Sequence, residues 1–404
     1  MKNPQFSPAY FEITRTARLP DPIRLARYEK VPDLGPRLLF FSGGTALRQL
    51  SARLIRYTHN SIHVITPFDS GGSSAQLRNA FHMPAVGDIR NRLMALADQG
   101  IHGNQEIFAL FSHRLPKNAG RESLVEDITR MASGKHRLVA RIPDPMRKLI
   151  RNHLLSFLDS MPENFDLRGA SIGNLILAAG YLNNRRLLDP VIYLFSMLVR
   201  VRGTVRPVVN KHRHLVAELD SGALRVGQHQ FTGKQTEPIN EEIKRVYLAS
   251  NKKSPEPVEV QIRSKMRELI RSADLICYPM GSFYSSLIAN LLPSGVGDAI
   301  CGVRCPKIFV PSTYPDPELR GLDPTRQTEI LLSYLKADNP GRIQNPQVLD
   351  AVLVDRKNGQ YTAPVDEKKL NEMQVRVIDY GLVSHQSRPA VDAGRLAQCL
   401  LSLT

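Results

Sequence analysis

Cysteine is scarce in this chain: four occur in 404 residues, at positions 277, 301, 305 and 399. Cys301 and Cys305 are four apart, but no His or Cys pair completes a zinc-binding pattern. The thiols are therefore expected to be buried and reduced. Long apolar runs are also lacking. No stretch approaches the ~18 apolar residues of a membrane span, and the opening MKNPQFSPAYFEITRTARLP has no apolar leader core. A cytoplasmic protein with no membrane partner is expected. Acidic residues are in deficit, 38 against 54 Lys and Arg, for a net charge of +16. That excess fits a solvated basic surface, and equally an anionic small ligand, an acidic partner or nucleic acid. Several catalytic signatures are missing. There is no G-x-x-x-x-G-K-[ST], no G-x-G-x-x-G after a strand and no H-E-x-x-H. A P-loop kinase, a standard dinucleotide fold and a zincin are thereby unsupported.

What is present is concentrated between residues 38 and 98. An apolar run, Leu38 to Phe41, stops at Ser42-Gly43-Gly44-Thr45, and Leu47, Leu50 and Leu54 follow at helical spacing. A second run, Ile62 to Ile65, stops at Thr66-Pro67-Phe68-Asp69-Ser70 and enters Gly71-Gly72-Ser73-Ser74. Strand, glycine turn, helix, strand, glycine turn is how α/β proteins place ligands beyond the carboxyl ends of parallel strands. Asp88 is expected to cap the next helix, with Ile89, Leu93, Leu96 and Ala97 as its apolar face.

At 404 residues, with 42% hydrophobic and 23% charged content, the chain fits one large α/β domain with insertions, or two domains. Residues 1–36, rich in proline, read as an extended N-terminal arm. Residues 37–404 read as a single large domain with a basic helical insertion at about 100–165 and a loop or lid region at about 205–257. Met146, Leu149, Ile150, Leu154 and Leu158 have helical spacing, opposite a basic face of Arg147, Lys148 and Arg151. The fold class expected is α/β, a Rossmann-like, mostly parallel sheet with helices on both faces and a helical insertion or cap.

Three glycine and hydroxyl turns, 42–45, 69–74 and 279–286, each follow an apolar run. Backbone N–H groups in such turns suit phosphate oxygens. Asp69 reads either as a ligand of Mg²⁺ or an acceptor-orienting carboxylate, or as an Asx turn closing the strand. Asn174 reads as a donor to phosphate or base, or as a helix-start residue. Arg78, Arg90 and Arg92 read as neutralising phosphate charge.

The blocks GGTAL at 43–47, DSGGSSAQLR at 69–78, GDIRNRLMALAD at 87–98, IGNLILAA at 172–179 and MGSFYSSLIANLL at 280–292 resemble one superfamily. It contains the CofD 2-phospho-L-lactate transferases and the YvcK-type gluconeogenesis factors. The likeness covers roughly residues 38–354 and sits nearer the YvcK branch. It implies a Rossmann-like core that binds a nucleotide diphosphate conjugate of GDP or UDP type. Carried over, Gly43, Gly44 and Thr45 hold phosphate or ribose, and Asp69 is the acidic metal-site and catalytic residue. Gly71, Gly72, Ser73, Ser74, Arg90 and Asn91 complete the binding turns, and Gly173, Asn174, Gly281, Ser282 and Tyr284 line the nucleotide pocket. Departures stand at Ser42, Ala46, Ser70, Ala170 and Met280; Ser70 replaces a second carboxylate. They mark a divergent branch. Mg²⁺ is the implied cofactor and a homodimer the implied assembly.

Two functions follow from the resemblance. One is transfer of a phospholactyl-type or related phospho group to an acceptor small molecule's hydroxyl. The other is a non-catalytic YvcK-like nucleotide-sugar-binding regulator. Nucleic acid is a third reading that rests on the basic segments 121–157 and 196–214 alone.

Overall fold

The computed structural model describes residues 16–98, 100, 104–230 and 239–404. Seven strands form one sheet: β1 (Leu38–Ser42), β2 (Ile62–Ile65), β3 (Thr204–Pro207), β7 (Leu275–Tyr278), β8 (Lys307–Phe309), β9 (Ala351–Val354) and β10 (Arg376–Asp379). Their order is β10-β9-β8-β7-β1-β2-β3, and every pairing is parallel. The inner strands β1, β7 and β9 read as apolar runs because both sheet faces are covered there, whereas the edge strands β3 and β10 are only partly buried. Leu39 and Phe41 of β1 join one core with Ile276, Tyr278 and Val352, while Leu38 and Phe40 join another with Leu275, Cys277 and Leu353. Alternate side chains point to opposite faces, so each strand feeds two helical layers. Cys277 and Cys399 are buried free thiols.

The chain leaves β1 for β2 and β3 on one side, then returns to build β7 to β10 on the other. The topological switch point therefore lies between β1 and β7, where open α/β sheets hold their ligands.

Between β2 and β3 the chain is helical. Helices Asn104–Ser112, Arg121–Ala132, Met146–Ser160, Ile172–Asn183 and Leu188–Leu198 pack around their own core of Phe111, Ile128, Ile150, Leu154, Leu175 and Phe195. The basic face of Met146–Ser160 is spent locally: Arg147 and Lys148 pair with Asp144, and Arg151 Nε donates to the Ala132 carbonyl at 3.0 Å.

Between β3 and β7, strands β4 (His214–Leu219), β5 (Leu224–Val226) and β6 (Ile243–Ala249) form an antiparallel sheet in the order β5-β4-β6. The N-terminal stretch is not extended throughout. Pro22–Lys30 is a helix capped by Asp21. Three contacts tie it to the C-terminal end: the Asp21 N–H donates to Ser402 Oγ at 2.8 Å, Arg24 Nη1 donates to the Ser402 carbonyl at 3.3 Å, and Tyr28 Oη lies 3.1 Å from Thr404 Oγ1. A proline at the first helical position suits a helix start, so the run of prolines misled the extended reading. No helix among the described residues is long and apolar enough to cross a membrane.

Candidate functional site

A cavity of about 460 Å³ opens at the switch point. Its walls come from the loops after β1, β2, β7 and β8, with Asp88 from the helix Gly87–Leu96 and Gln228 and His229 from the short turn Gln228–Gln230 that follows residue 226. Three of its lining side chains are carboxylates, Asp69, Asp88 and Asp316, and among the described residues that line it none is Lys or Arg.

The turn after β1 is built for close approach. A Cβ on Gly44 would sit 2.4 Å from Asp88 Oδ1, and one on Gly43 would sit 2.4 Å from Ser286 Oγ. Arg92 holds this turn from beneath. Its Nη2 donates to the Gly43 carbonyl at 3.2 Å and the Gly44 carbonyl at 3.4 Å, and its Nη1 donates to Ser51 Oγ. Burial pushes the Arg92 guanidinium down to about 10, offset in part by Asp88. Asp88 is not a helix cap, because the N-cap is Val86 and makes no side-chain cap bond. It lies in the first turn of that helix, which carries its carboxylate to the β1 turn and supplies a second acidic group to the cavity.

Asp69 closes the strand as an Asx turn and also reaches the cavity. Its Oδ1 accepts the Gly71 N–H at 3.0 Å, an Asx turn, and its side chain also lines the cavity. Ser70, the position of the missing carboxylate, faces the turn Gln228–Gln230 instead. Its Oγ lies 2.8 Å from His229 Nδ1 and accepts the His229 N–H at 3.3 Å. Burial lowers the His229 pKa and Lys252 adds to this, against an opposing pull from Asp69. Gly227 leaves room for this pair: at φ +99° a Cβ there would be 2.9 Å from Ser70 Oγ.

The arginines do not face the cavity. Arg78 is buried and clamps the β2 loop, with Nη1 donating to the carbonyls of Phe68 and Asp69 at 2.8 Å. Arg90 donates to Ser171 Oγ and, at 2.6 Å, to Asn91 Oδ1. In all three the guanidinium bonds to loop and helix oxygens inside the protein, so none lies where it would neutralise a ligand's phosphate.

The helix after β7 starts as a π-helical turn, Phe283–Ile288. Its first N–H groups would ordinarily attract an anion. Here they are taken by the β8 loop. Phe283 N–H donates to Asp316 Oδ2 at 2.9 Å, and the Tyr284 and Ser285 N–H groups both donate to Glu318 Oε2 at 2.8 Å. Tyr284 is buried, and its hydroxyl donates to the Ile243 carbonyl at 3.3 Å.

Of the residues expected at the site, the structure brings Gly43, Gly44, Thr45, Asp69, Gly71, Gly281 and Ser282 to one cavity. It places Gly72, Ser73, Ser74, Arg90, Asn91, Gly173, Asn174 and Tyr284 outside the lining. Ser73 Oγ accepts the Ser171 N–H at 3.1 Å, and Asn174 is buried behind it. Gly173 permits close packing, since a Cβ would lie 2.9 Å from the Phe111 ring. These residues pack the helices behind the glycine turns. Sequence reasoning missed Gln228, His229 and the stretch that supplies Ser312, Tyr314, Pro315, Asp316 and Pro317. The last had a signal, a proline-rich turn closing the apolar run of β8. Gln228 and His229 had none.

Known proteins share this architecture. A gluconeogenesis factor of Bacillus subtilis is 29% identical over 283 residues, 70% of this chain and 69% of its own. A gluconeogenesis factor of Listeria monocytogenes is 26% identical over 275 residues, 68% of this chain and 66% of its own. A relative from Nostoc is matched over only 56% of its length. The crystal structure of a UPF0052 family member from Bacillus halodurans superposes with a TM-score of 0.65 at 24% identity, over 91% of this chain and 99% of that one, and so shares the fold. The family model described as 2-phospho-L-lactate transferase CofD matches residues 38–383, most of the chain, which therefore belongs to the CofD family.

Proposed function

We propose that the cavity binds the diphosphate of a GDP- or UDP-type conjugate together with Mg²⁺, and that a phospho group passes from the conjugate to an acceptor hydroxyl. The observation that carries this reading is the pair Asp69 and Asp88, both lining the cavity beside the Gly43-Gly44-Thr45 turn. Carboxylates alone repel a diphosphate, whereas a divalent cation between them and the phosphates reverses the sign. One or two carboxylates plus substrate phosphates is the usual protein contribution to a Mg²⁺ site. Among the described residues no cluster of three His, Cys, Asp or Glu side chains is arranged to hold a metal, so the ligand's oxygens would complete the set. Bound Mg²⁺ would withdraw charge from the transferred phosphoryl group.

The rest falls to the chain. Gly43 and Gly44 let backbone approach phosphate, and Arg92 keeps their carbonyls turned away from it. The acceptor oxygen forms a bond to the distal phosphorus as the bond from that phosphorus to the bridging oxygen breaks. The nucleoside monophosphate leaves with the bridging oxygen, and the hydroxyl proton passes to Asp69 and then to water.

A second reading has its own support: the relatives from Bacillus subtilis and Listeria are named as gluconeogenesis factors, not as transferases. In that case the same pocket senses a nucleotide-sugar without turnover.

Thermal unfolding with GDP, UDP and UDP-sugars, each with and without Mg²⁺, separates the two. A ligand at 100 times its Kd adds roughly 2.7 kcal/mol to the native state, several degrees in Tm. The expected result is a Mg²⁺-dependent rise with GDP or UDP that Asp88→Asn removes. A rise with UDP-sugars that ignores Mg²⁺ moves the function to the regulator, and no rise with any nucleotide overturns both.

A further inference from the structure

The loop after β8 presents an aromatic ring to the cavity mouth. Tyr314 is 44% exposed although it lines the cavity, and the two prolines beside it in the lining, Pro315 and Pro317, are exposed as well. An exposed aromatic is unremarkable on a mobile loop, but this loop is braced on both sides of the ring. Thr313 Oγ1 donates to the Pro389 carbonyl at 2.8 Å, and the Thr313 carbonyl accepts the Gln360 N–H at 2.8 Å. On the other side Asp316 and Glu318 are bonded to the start of the Phe283–Ile288 turn. Asp316 lines the cavity while its Oδ2 holds the Phe283 N–H, and beside it Tyr314, Pro315 and Pro317 form an apolar ledge. Met280, half-buried on the loop after β7, also lines the cavity.

We propose that Tyr314, with Pro315 and Pro317, is the stacking platform for the nucleobase of the bound nucleotide. This deepens the proposed function and rests on its assignment of the phosphates to the glycine turn. The cavity is of the size that holds a nucleotide-sized ligand, and its polar end and its apolar rim match the two ends of such a molecule. A pre-braced ring takes a planar base with little ordering of its own. Stacking tolerates either base, because every base has a π-face.

The test is calorimetric titration with Mg²⁺ of GDP, UDP and inorganic pyrophosphate into the wild type, Tyr314→Ala and Tyr314→Phe. Tyr314→Ala is expected to weaken both nucleotides roughly ten-fold or more, the range of base–aromatic stacking, and to leave pyrophosphate unchanged. Tyr314→Phe keeps the ring and should bind as the wild type does. If Tyr314→Ala binds the nucleotides normally, the platform is wrong while the phosphate site stands. An equal loss for pyrophosphate also overturns it, since Tyr314 would then shape the cavity as a whole. Failure of the wild type to bind any of the three removes the phosphate site and the platform together.

Discussion

Replacing Gly44 by alanine is expected to abolish the Mg²⁺-dependent binding of nucleotide. The new Cβ would lie 2.4 Å from Asp88 Oδ1 and 3.2 Å from its Cγ, closer than such atoms come. Backbone movement is resisted by Arg92, which is buried and bonded to the Gly43 and Gly44 carbonyls. The carboxylate must therefore swing, and Asp88 is one of the two groups proposed to hold the cation. Overpacking of this kind costs about 1–3 kcal/mol in stability. The fold is expected to survive while the ligand-induced rise in Tm disappears. Gly341→Ala is the control, because a Cβ there meets nothing within 4 Å. Gly44→Ala protein that binds GDP or UDP as tightly as the wild type would mean that the phosphates lie elsewhere.

The architecture was legible in the sequence because the strands are buried on both faces. Leu38 to Phe41, Ile62 to Ile65 and Leu275 to Tyr278 each read as an unbroken apolar run closed by a turn, and each is a strand of the parallel sheet. The helix Met146–Ser160 was legible for the complementary reason, a 3.6-residue stripe that faces its own core. The site was only half legible. Glycine turns announce a close backbone approach, but a motif does not say which of its members face the ligand. In the stretch after β2, Asp69 and Gly71 line the cavity while Ser73 bonds to the helical insertion. Arginine next to a phosphate motif invites an electrostatic role, yet Arg78, Arg90 and Arg92 all bond to internal oxygens. Asp88 looked like a cap because it stands at the start of an apolar helix; its place against Gly44 in the cavity is set by the tertiary fold. His229 and Tyr314 are single residues on loops about 160 and 245 positions beyond Asp69, and no local pattern ties them to it.

The largest loss of stability is expected at Glu318, a carboxylate that is buried and receives three donors. Glu318→Leu leaves the Tyr284 and Ser285 N–H groups and the Ser285 hydroxyl without their acceptor. Each unsatisfied buried group costs about 1–3 kcal/mol, so a total of roughly 3–9 kcal/mol is expected in chemical denaturation. Glu318→Gln retains a carbonyl oxygen for the two N–H groups and should cost about 1 kcal/mol. The pair of variants also reports a charge. Burial, and then the neighbouring Asp316, raise the Glu318 pKa to about 8 from an ordinary 4.5, against the pull of its donors. The folded state therefore holds a proton that the unfolded state releases. That contribution is fully present below 4.5 and is lost as the pH rises through the raised value. The stability of the wild type should accordingly fall between about pH 5 and pH 8 relative to Glu318→Gln, which carries no ionisable group there. A constant difference across that range would mean that the donors keep Glu318 ionised in the folded protein. The β8 loop would then hold a permanent negative charge against the start of the Phe283–Ile288 turn, which would repel a phosphate from that side and direct it to the Gly43-Gly44-Thr45 turn.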